Sequence, residues 1–308
     1  MSRTSPQSAT QQNGPPRRSR PGRLLSRIRA HRMLITVALL LAAYVTFFLL
    51  GGCADRFLLF PSRDPVDART AMRKTIPFND GELEAWVARS PGANGREPQA
   101  FVVVFGGNAA RAEWDAWDAT DWGEKPVEVW AVNHPGFGGS TGTAKLSRLP
   151  DAALTAYDHV SKHAAGRPVY VSGTSLGTTM AMHVAAHRPV AGAILRTPPA
   201  LWQLIQREYG WWNLWVLSTP VAFGVPRELG SLSNANHCKA PAVFLLADND
   251  EIVPVKYQRK VVQEYAGPKQ VIIMKGSTHN APLDARCRDQ FREKLNWLWE
   301  NRPQIAGK

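Results

Sequence analysis

Ser175 lies at the centre of Gly173-Thr174-Ser175-Leu176-Gly177, a G-x-S-x-G pentapeptide with glycine two positions to either side. A serine hydroxyl is a poor nucleophile until an imidazole takes its proton, and that imidazole needs a carboxylate to fix its tautomer. The pentapeptide alone arises by chance in roughly one chain of this length in ten, and its plain reading is a serine capping a helix. Its setting argues for more. Arg167 to Ser172 is a short β-branched run suited to a buried strand, and Thr178 to Ala186 is alanine-rich and helix-forming. Strand, sharp turn and helix with serine at the apex is the nucleophile elbow, in which the glycines relieve crowding around a strained residue.

The partners of such a serine follow in the order serine, acid, histidine. Of eight histidines, only His279 lies beyond the acid candidates near residue 250, in the loop Gly276-Ser277-Thr278-His279-Asn280. The acid falls in Asp248-Asn249-Asp250-Glu251-Ile252-Val253-Pro254. Asp250 is assigned from its spacing to Val253-Pro254, with Asp248 second and Glu251 third; the unused carboxylates read as solvated loop or helix N-terminal charge. An acyl transfer also needs N–H donors for the oxyanion. Leu176, next after the nucleophile, supplies one. Asn108, in the loop Gly106-Gly107-Asn108-Ala109, supplies the other, paired glycines letting the backbone approach a bound carbonyl.

Elements must position these residues. Lys74 to Ser90 alternates around Asn79-Asp80-Gly81 as a β-hairpin. A continuous apolar run at Ala100–Phe105 reads as a strand buried on both faces of a parallel sheet, and Val127–Val132, Val190–Leu195, Ala242–Ala247 and Gln270–Met274 read as further strands. Helix-like stretches fall between them, at Ala109–Trp122, Leu149–Ala165, about 255–266 and Leu283–Trp299. The rhythm breaks over 200–237, which carries four tryptophans and no clean strand and is expected to form a helical cap. Strands alternating with helices give an α/β fold, a mostly parallel central sheet with helices on both faces.

With these segments in order, the chain resembles the α/β-hydrolase superfamily. More narrowly it is similar to the membrane-anchored α/β-hydrolase-domain proteins, serine hydrolases akin to prolyl oligopeptidases and serine aminopeptidases. The resemblance covers roughly 55–300. Where that group has His-Gly-Asn-Ala-Gly, this chain has Gly106-Gly107-Asn108-Ala109-Ala110, without the histidine and the last glycine. His134-Pro135-Gly136-Phe137-Gly138-Gly139-Ser140 matches the group's Tyr-Arg-Gly-Tyr-Gly-x-Ser turn, and Ala247 to Pro254 matches its Gly-x-x-Asp-x-x-Val-Pro motif. The resemblance implies an α/β-hydrolase domain over 55–303 that hydrolyses esters, thioesters or amides with neither metal nor organic cofactor.

The N-terminal region belongs to a different regime. Residues 1–32 hold eight arginines and no acid, so the formal charge of +12 falls to +4 for the remainder. No basic stripe interleaved with aromatics and no phosphate-binding glycine loop with Lys-Ser/Thr follows, which argues against nucleic acid as a partner. The arginine-rich 1–32 is expected to be a disordered cytoplasmic tail. Met33 to Gly52 is apolar without a charge and long enough to span a bilayer, and the positive-inside rule sends the domain after it out of the cytoplasm. Two readings compete: an uncleaved signal anchor, and a lipoprotein signal ending at Cys53 of Leu50-Gly51-Gly52-Cys53. Pairs His159/His163 and His183/His187 sit at a spacing metals use but lack a third ligand. Cys238 and Cys287 stand equally as a disulfide or as buried thiols. The expected activity is a membrane-tethered serine esterase acting on a small acyl substrate; a peptidase and a catalytically silent scaffold are the alternatives.

Overall fold

A computed structural model describes residues 22–50, 52–211, 214–216 and 218–303. The chain divides into two units, Met1–Phe47 and Phe48–Lys308. Helix α1 runs from Gly22 to Leu50, and its stretch Ser26–Phe47 is long and apolar enough to cross a membrane, with none of it buried. The helix begins well before the apolar run. Residues 22–32, expected to be disordered, are helical because Arg, Leu, Ile and Ala are good helix formers and continue the turn without a breaker. The expectation for residues 1–21 lies outside the described residues.

The second unit opens with a short helix α2 (Cys53–Leu58), then strands β1 (Met72–Phe78) and β2 (Gly81–Arg89) joined by a two-residue turn at Asn79-Asp80. Strands β3 (Ala100–Phe105), β4 (Val127–Val132), β5 (Val169–Thr174), β6 (Gly192–Arg196), β7 (Ala242–Ala247) and β8 (Lys269–Met274) complete an eight-stranded sheet in the order β1-β2-β4-β3-β5-β6-β7-β8. The hairpin and its junction with β4 are antiparallel and the rest is parallel, as expected from the continuous apolar runs.

Strands β3 and β7 are apolar at every position because both faces are covered, and β4 departs from this only at the buried Glu128. Alternation along β3 sends Phe101, Val103 and Phe105 into one core and Ala100, Val102 and Val104 into the other. The first core packs under α4 (Leu149–Ala164), α5 (Leu176–His187), α8 (Ser231–His237) and α9 (Val255–Glu264). The second packs under α10 (Ala285–Glu300) and the segment 112–122. That segment is less regular than a helix: α3 covers only Ala112–Asp115 and the rest is 3-10. Between β6 and β7 lie α6 (Leu201–Arg207), α7 (Ser218–Phe223) and α8. Helices α6 and α7 pack on each other. Helix α8 packs on α5 and α9 through Ala235, so the insertion is shorter than the 200–237 expected.

The strand order fixes where a site can form. From β3 the chain moves to β4 on one side, then returns past β3 to β5 on the other. The carboxyl ends of β3 and β5 therefore flank the point where the order reverses, the usual crevice for a ligand in an open α/β sheet. Phe105 is in register with Gly173, so the Gly106-Gly107-Asn108 loop and Ser175 emerge side by side.

Cys238 and Cys287 are buried, free thiols on opposite faces of the sheet, so they do not pair. Burial pushes the Cys238 thiol up to about 12. In a Cys53→Ser background, the reduced and unreduced chain should migrate identically on denaturing gels. An aromatic disulfide reagent should titrate both thiols only after denaturation; fast reaction of the native chain would contradict this burial.

Candidate active site

Strand β5 ends at Thr174, and Ser175 adopts φ 51°, ψ −120° before α5 begins. That backbone is rare for a residue with a side chain and costs on the order of 1–3 kcal/mol, so its surroundings must hold it. Ser175 N donates to Arg196 O at 2.9 Å on the neighbouring strand. Ser175 O accepts from Thr178 N at 2.9 Å and from Thr178 Oγ1 at 2.6 Å. The flanking glycines have a steric reason. A Cβ on Gly177 would overlap the Phe105 carbonyl, and one on Gly173 would overlap the Gly177 carbonyl. The first turn of α5 can sit against β3 and β5 only if both positions lack side chains.

The Gly106–Ala109 loop passes directly beside the serine. A Cβ on Gly107 would stand 3.5 Å from Ser175 Cβ. Ala109 takes a positive φ of 61°, turning the chain back. Among the described residues no acceptor takes the main-chain N–H of Asn108 or of Leu176. The Asn108 side chain is committed elsewhere, its Oδ1 accepting from Phe60 N at 2.8 Å.

The residue expected at the head of this loop from the family resemblance is a histidine, and here it is Gly106. The structure supplies both a reason and a replacement. A Cβ at Gly106 would overlap the Asp115 carboxylate. An imidazole reaches the loop from the next turn instead: His134 Nε2–H donates to Gly106 O at 3.0 Å. A carbonyl only accepts, so Nε2 carries the proton. Burial pushes the His134 pKa down to about 4, which leaves the ring neutral at physiological pH.

The acid and the base meet between the loops that follow β7 and β8. His279 Nδ1 lies 2.7 Å from Asp250 Oδ2, with both side chains buried. The remaining capacity of that carboxylate is filled by Ile252 N at 2.9 Å, Val253 N at 2.7 Å and Gln258 Nε2 at 3.0 Å. A carboxylate accepting these bonds requires Nδ1 of His279 to be the protonated nitrogen, which leaves a lone pair on Nε2. Asp248 does different work, accepting from Gly276 N at 2.6 Å and so pinning the turn that precedes His279. Glu251 is exposed. Of the three carboxylates in the loop, Asp250 is the one that reaches the histidine.

Two positioning residues escaped the sequence reading. Gln258, fully buried in the first turns of α9, donates to Asp250 Oδ2, Ala247 O and Val253 O and accepts from Ala247 N. A lone amide on the inward face of an amphipathic helix was its signal. Arg196 ends β6; its carbonyl holds Ser175 N while its guanidinium donates to Ala281 O, two residues past His279. Nothing in the sequence around Arg196 marks it. The histidine pairs do not gather ligands: the His183 and His187 rings stand 4.4 Å apart, and among the described residues no group of three His, Cys, Asp or Glu side chains could hold a metal.

A cavity of about 410 Å³ opens at Ser175, Leu176 and Asn108. Its walls are Phe57, Leu58 and Phe60 from the α2 region, Leu201, Leu204 and Ile205 of α6, Val221 of α7, and Ile252 and Val253 of the acid loop. None of its lining residues is charged.

Comparison with known proteins bears on the fold that carries these residues. Residues 96–223 match the family model for serine aminopeptidase, S33. An uncharacterized protein of Mycobacterium tuberculosis (strain CDC 1551 / Oshkosh) is 27% identical over 273 residues, covering 85% of this chain and 93% of its own. Lysophosphatidylserine lipase ABHD12 of Macaca fascicularis is 24% identical over 187 residues, 53% of this chain and 44% of that one. Among solved structures, Est1E from Butyrivibrio proteoclasticus superposes with a TM-score of 0.58 at 15% identity, covering 74% of this chain and 99% of its own. At that identity the likeness is one of fold.

Two outcomes follow for the site. Gly177→Ala should destabilise the domain by about 1–3 kcal/mol or more through the clash with β3, read as a lowered urea midpoint at unchanged m. The neutral His134 makes stability depend on pH. Between its unfolded value near 6.5 and its folded value of about 4, the unfolded chain binds the extra proton, so this contribution is lost as pH falls. The difference in unfolding free energy between wild type and His134→Gln should therefore shrink by about 3 kcal/mol across that window. A difference that stays flat with pH would contradict the neutral imidazole.

Proposed function

We propose that this chain, an α/β-hydrolase by fold, is a serine hydrolase that cleaves carboxylic esters or thioesters through an acyl-enzyme. His279 Nε2 takes the proton of Ser175 Oγ as the oxygen attacks the substrate carbonyl carbon. Asp250 orients the imidazole and stabilises the imidazolium. The main-chain N–H groups of Leu176 and Asn108 take the oxyanion, being placed beside the serine and left without another acceptor. Collapse expels the leaving oxygen or sulfur, which receives the proton from His279 Nε2. Water then gives a proton to His279, attacks the acyl carbonyl, and Ser175 leaves with its proton restored.

One observation carries this reading: the buried Asp250–His279 bond is built from loops fastened to the elbow itself. Arg196 holds Ser175 through its carbonyl and the His279 loop through its side chain. Ile252 and Val253, which donate to Asp250, line the same cavity as Ser175. The cavity also favours ester over amide hydrolysis of the aminopeptidase kind. A free α-amino group requires a carboxylate or a set of acceptors, and the described lining holds no acid. A silent scaffold has less support, since it gives no role to a cavity that opens at Ser175 beside two main-chain N–H groups left without an acceptor among the described residues.

The same proposal includes a tether. Helix α1 acts as an uncleaved signal anchor with the arginines inside and the catalytic domain outside; lipidation of Cys53 is the second reading.

A fluorophosphonate probe should label the wild type and not Ser175→Ala, and ester turnover should fall by about 10³-fold or more in that variant. Asp250→Asn should lower kcat by about 10²–10⁴-fold with the fold intact. Labelling that survives Ser175→Ala would remove the serine from its role, and an unlabelled folded wild type would favour the scaffold. Cys53→Ser should leave the mass and the membrane retention of the chain unchanged; release from membranes would establish the lipid anchor instead.

A further inference from the structure

The apex of the loop beside Ser175 is fastened by one side chain. Gly106 O accepts from His134, Gly107 O accepts from Ala110 N at 3.2 Å, and Arg111 O accepts from Trp114 N at 2.9 Å. Between these points the main chain of Asn108 and Ala109 makes no hydrogen bond among the described residues. Ala109 holds a positive φ of 61°, a conformation uncommon for a residue with a Cβ. Gly107 precedes the apex, and glycine lets the peptide that carries the Asn108 N–H turn with little steric hindrance. What restrains this apex is the hydrogen bond from Phe60 N to Asn108 Oδ1, at 2.8 Å.

Phe60 can hold the loop because its own segment is held. Leu59, just before it, is buried, and its N–H donates to Asp55 O at 2.9 Å to close α2. Just after it, Ser62 O accepts from Gly138 N at 2.9 Å, and Arg63 donates to Gly136 O and Gly142 O, each at 3.2 Å. Asp64 O accepts from Arg111, whose buried guanidinium also pairs with Glu113. Residues 60–64 therefore lie between the 106–111 loop and the 134–142 turn and are bonded to both. An oxyanion donor does its work only if it is aimed before the charge develops, to within about 10–20°. A loop apex without main-chain partners meets that demand only through whatever holds it from outside.

We propose that Asn108 is a positioning residue as well as an oxyanion donor: its side chain grips Phe60 N and so keeps its own main-chain N–H turned toward Ser175, with residues 60–64 as the splint. This rests on the serine hydrolase reading above and adds to it what aims the second donor. The stretch that leads from the apolar helix into the domain is then a working part of the site and not a linker alone. Asparagine suits the position. Its Oδ1 accepts the Phe60 N–H as a carboxylate would, yet the amide brings no negative charge beside a developing anion.

The test uses the full-length protein and nitrophenyl butyrate, with active sites counted by fluorophosphonate labelling. Asn108→Ala keeps the main-chain N–H and loses its restraint. Its kcat per labelled site should fall by about tenfold while KM stays within about twofold. A trifluoromethyl ketone, whose adduct with Ser175 carries the oxyanion, should bind this variant about tenfold more weakly. The same bond can be cut from its other end. Phe60→Pro removes the N–H, and the extended Leu59 before it and Pro61 after it suit a proline there. Phe60→Ala removes the ring and keeps the N–H, so Phe60→Pro should turn over about tenfold more slowly than Phe60→Ala. Adding Asn108→Ala to Phe60→Pro should cost less than about twofold more, since both remove one bond. Equal rates in the two Phe60 variants, or fully additive losses in the double variant, overturn the proposal. A lowered urea midpoint in Asn108→Ala with kcat per labelled site unchanged overturns it too, making the bond one of stability alone. Should Asn108→Ala fail to label, the comparison of Phe60→Pro with Phe60→Ala decides, and loss of labelling from both ends assigns the bond to folding and overturns the proposal as well. Failure of the serine hydrolase reading would look different, as turnover surviving in Ser175→Ala.

Discussion

A carboxylate cut off from water must be met by donors, and Asp250 is met by four. Two are main-chain N–H groups of its own loop, one is the amide of Gln258, and one is His279. Removing an unpaired carboxylate from water costs several kcal/mol, so each donor is held in place by the need to satisfy the charge. The geometry of the base follows from this. His279 cannot turn its ring without abandoning a buried anion, and the nitrogen left over faces away from the acid with its lone pair free.

The serine side of the site is held by packing rather than by charge. Helix α5 lies so close to the ends of β3 and β5 that glycine is the only residue tolerated at 173 and 177. That approach drives Ser175 into its strained turn and brings the 106–109 loop within contact distance of it. The sheet order makes the approach possible, because the reversal between β3 and β5 leaves a gap with no crossover lying over it. Arg196 joins the two halves. Its backbone belongs to the packed half and its guanidinium to the charged half, with Asp115, Asp118 and Asp121 supplying the negative field around it. Burial drives the Asp118 pKa up to about 7, so the charge facing Arg196 is itself shared among acids that do not all ionise readily.

Sequence pattern disclosed the parts of this fold that depend on composition along the chain. Continuous apolar runs marked β3 and β7, and a β-branched run broken by Glu128 marked β4, at their observed limits, and Asn79-Asp80-Gly81 marked the hairpin. The elbow was legible because glycine, serine and glycine recur at fixed spacing for a steric reason that is local. Pairings between distant side chains were not. Gln258 with Asp250, Arg196 with Ala281, and His134 with Gly106 join residues whose separation along the chain carries no period. The missing histidine of the 106–110 loop illustrates the point. In sequence it is a departure, whereas in space an imidazole from residue 134 is present, donating to the same loop. The boundary of the cap was misjudged for a related reason: α8 differs from α6 and α7 in what it packs against, not in composition.

The apolar cavity bears on turnover as well as on selection, on the reading that an acyl ester is the substrate. Before reaction the ester is neutral, and its chain gains from leaving water by roughly 0.8 kcal/mol per methylene. After hydrolysis the same chain ends in a carboxylate. The described lining offers that anion no charged residue. On the same reading its partners are the N–H pair beside Ser175 and the His279 ring, which takes the proton the acid gives up and is backed by Asp250. The tail keeps in the product the burial it had in the ester. Burial common to ester and acid raises affinity for both alike, so the apolar walls select what is bound without by themselves driving its release.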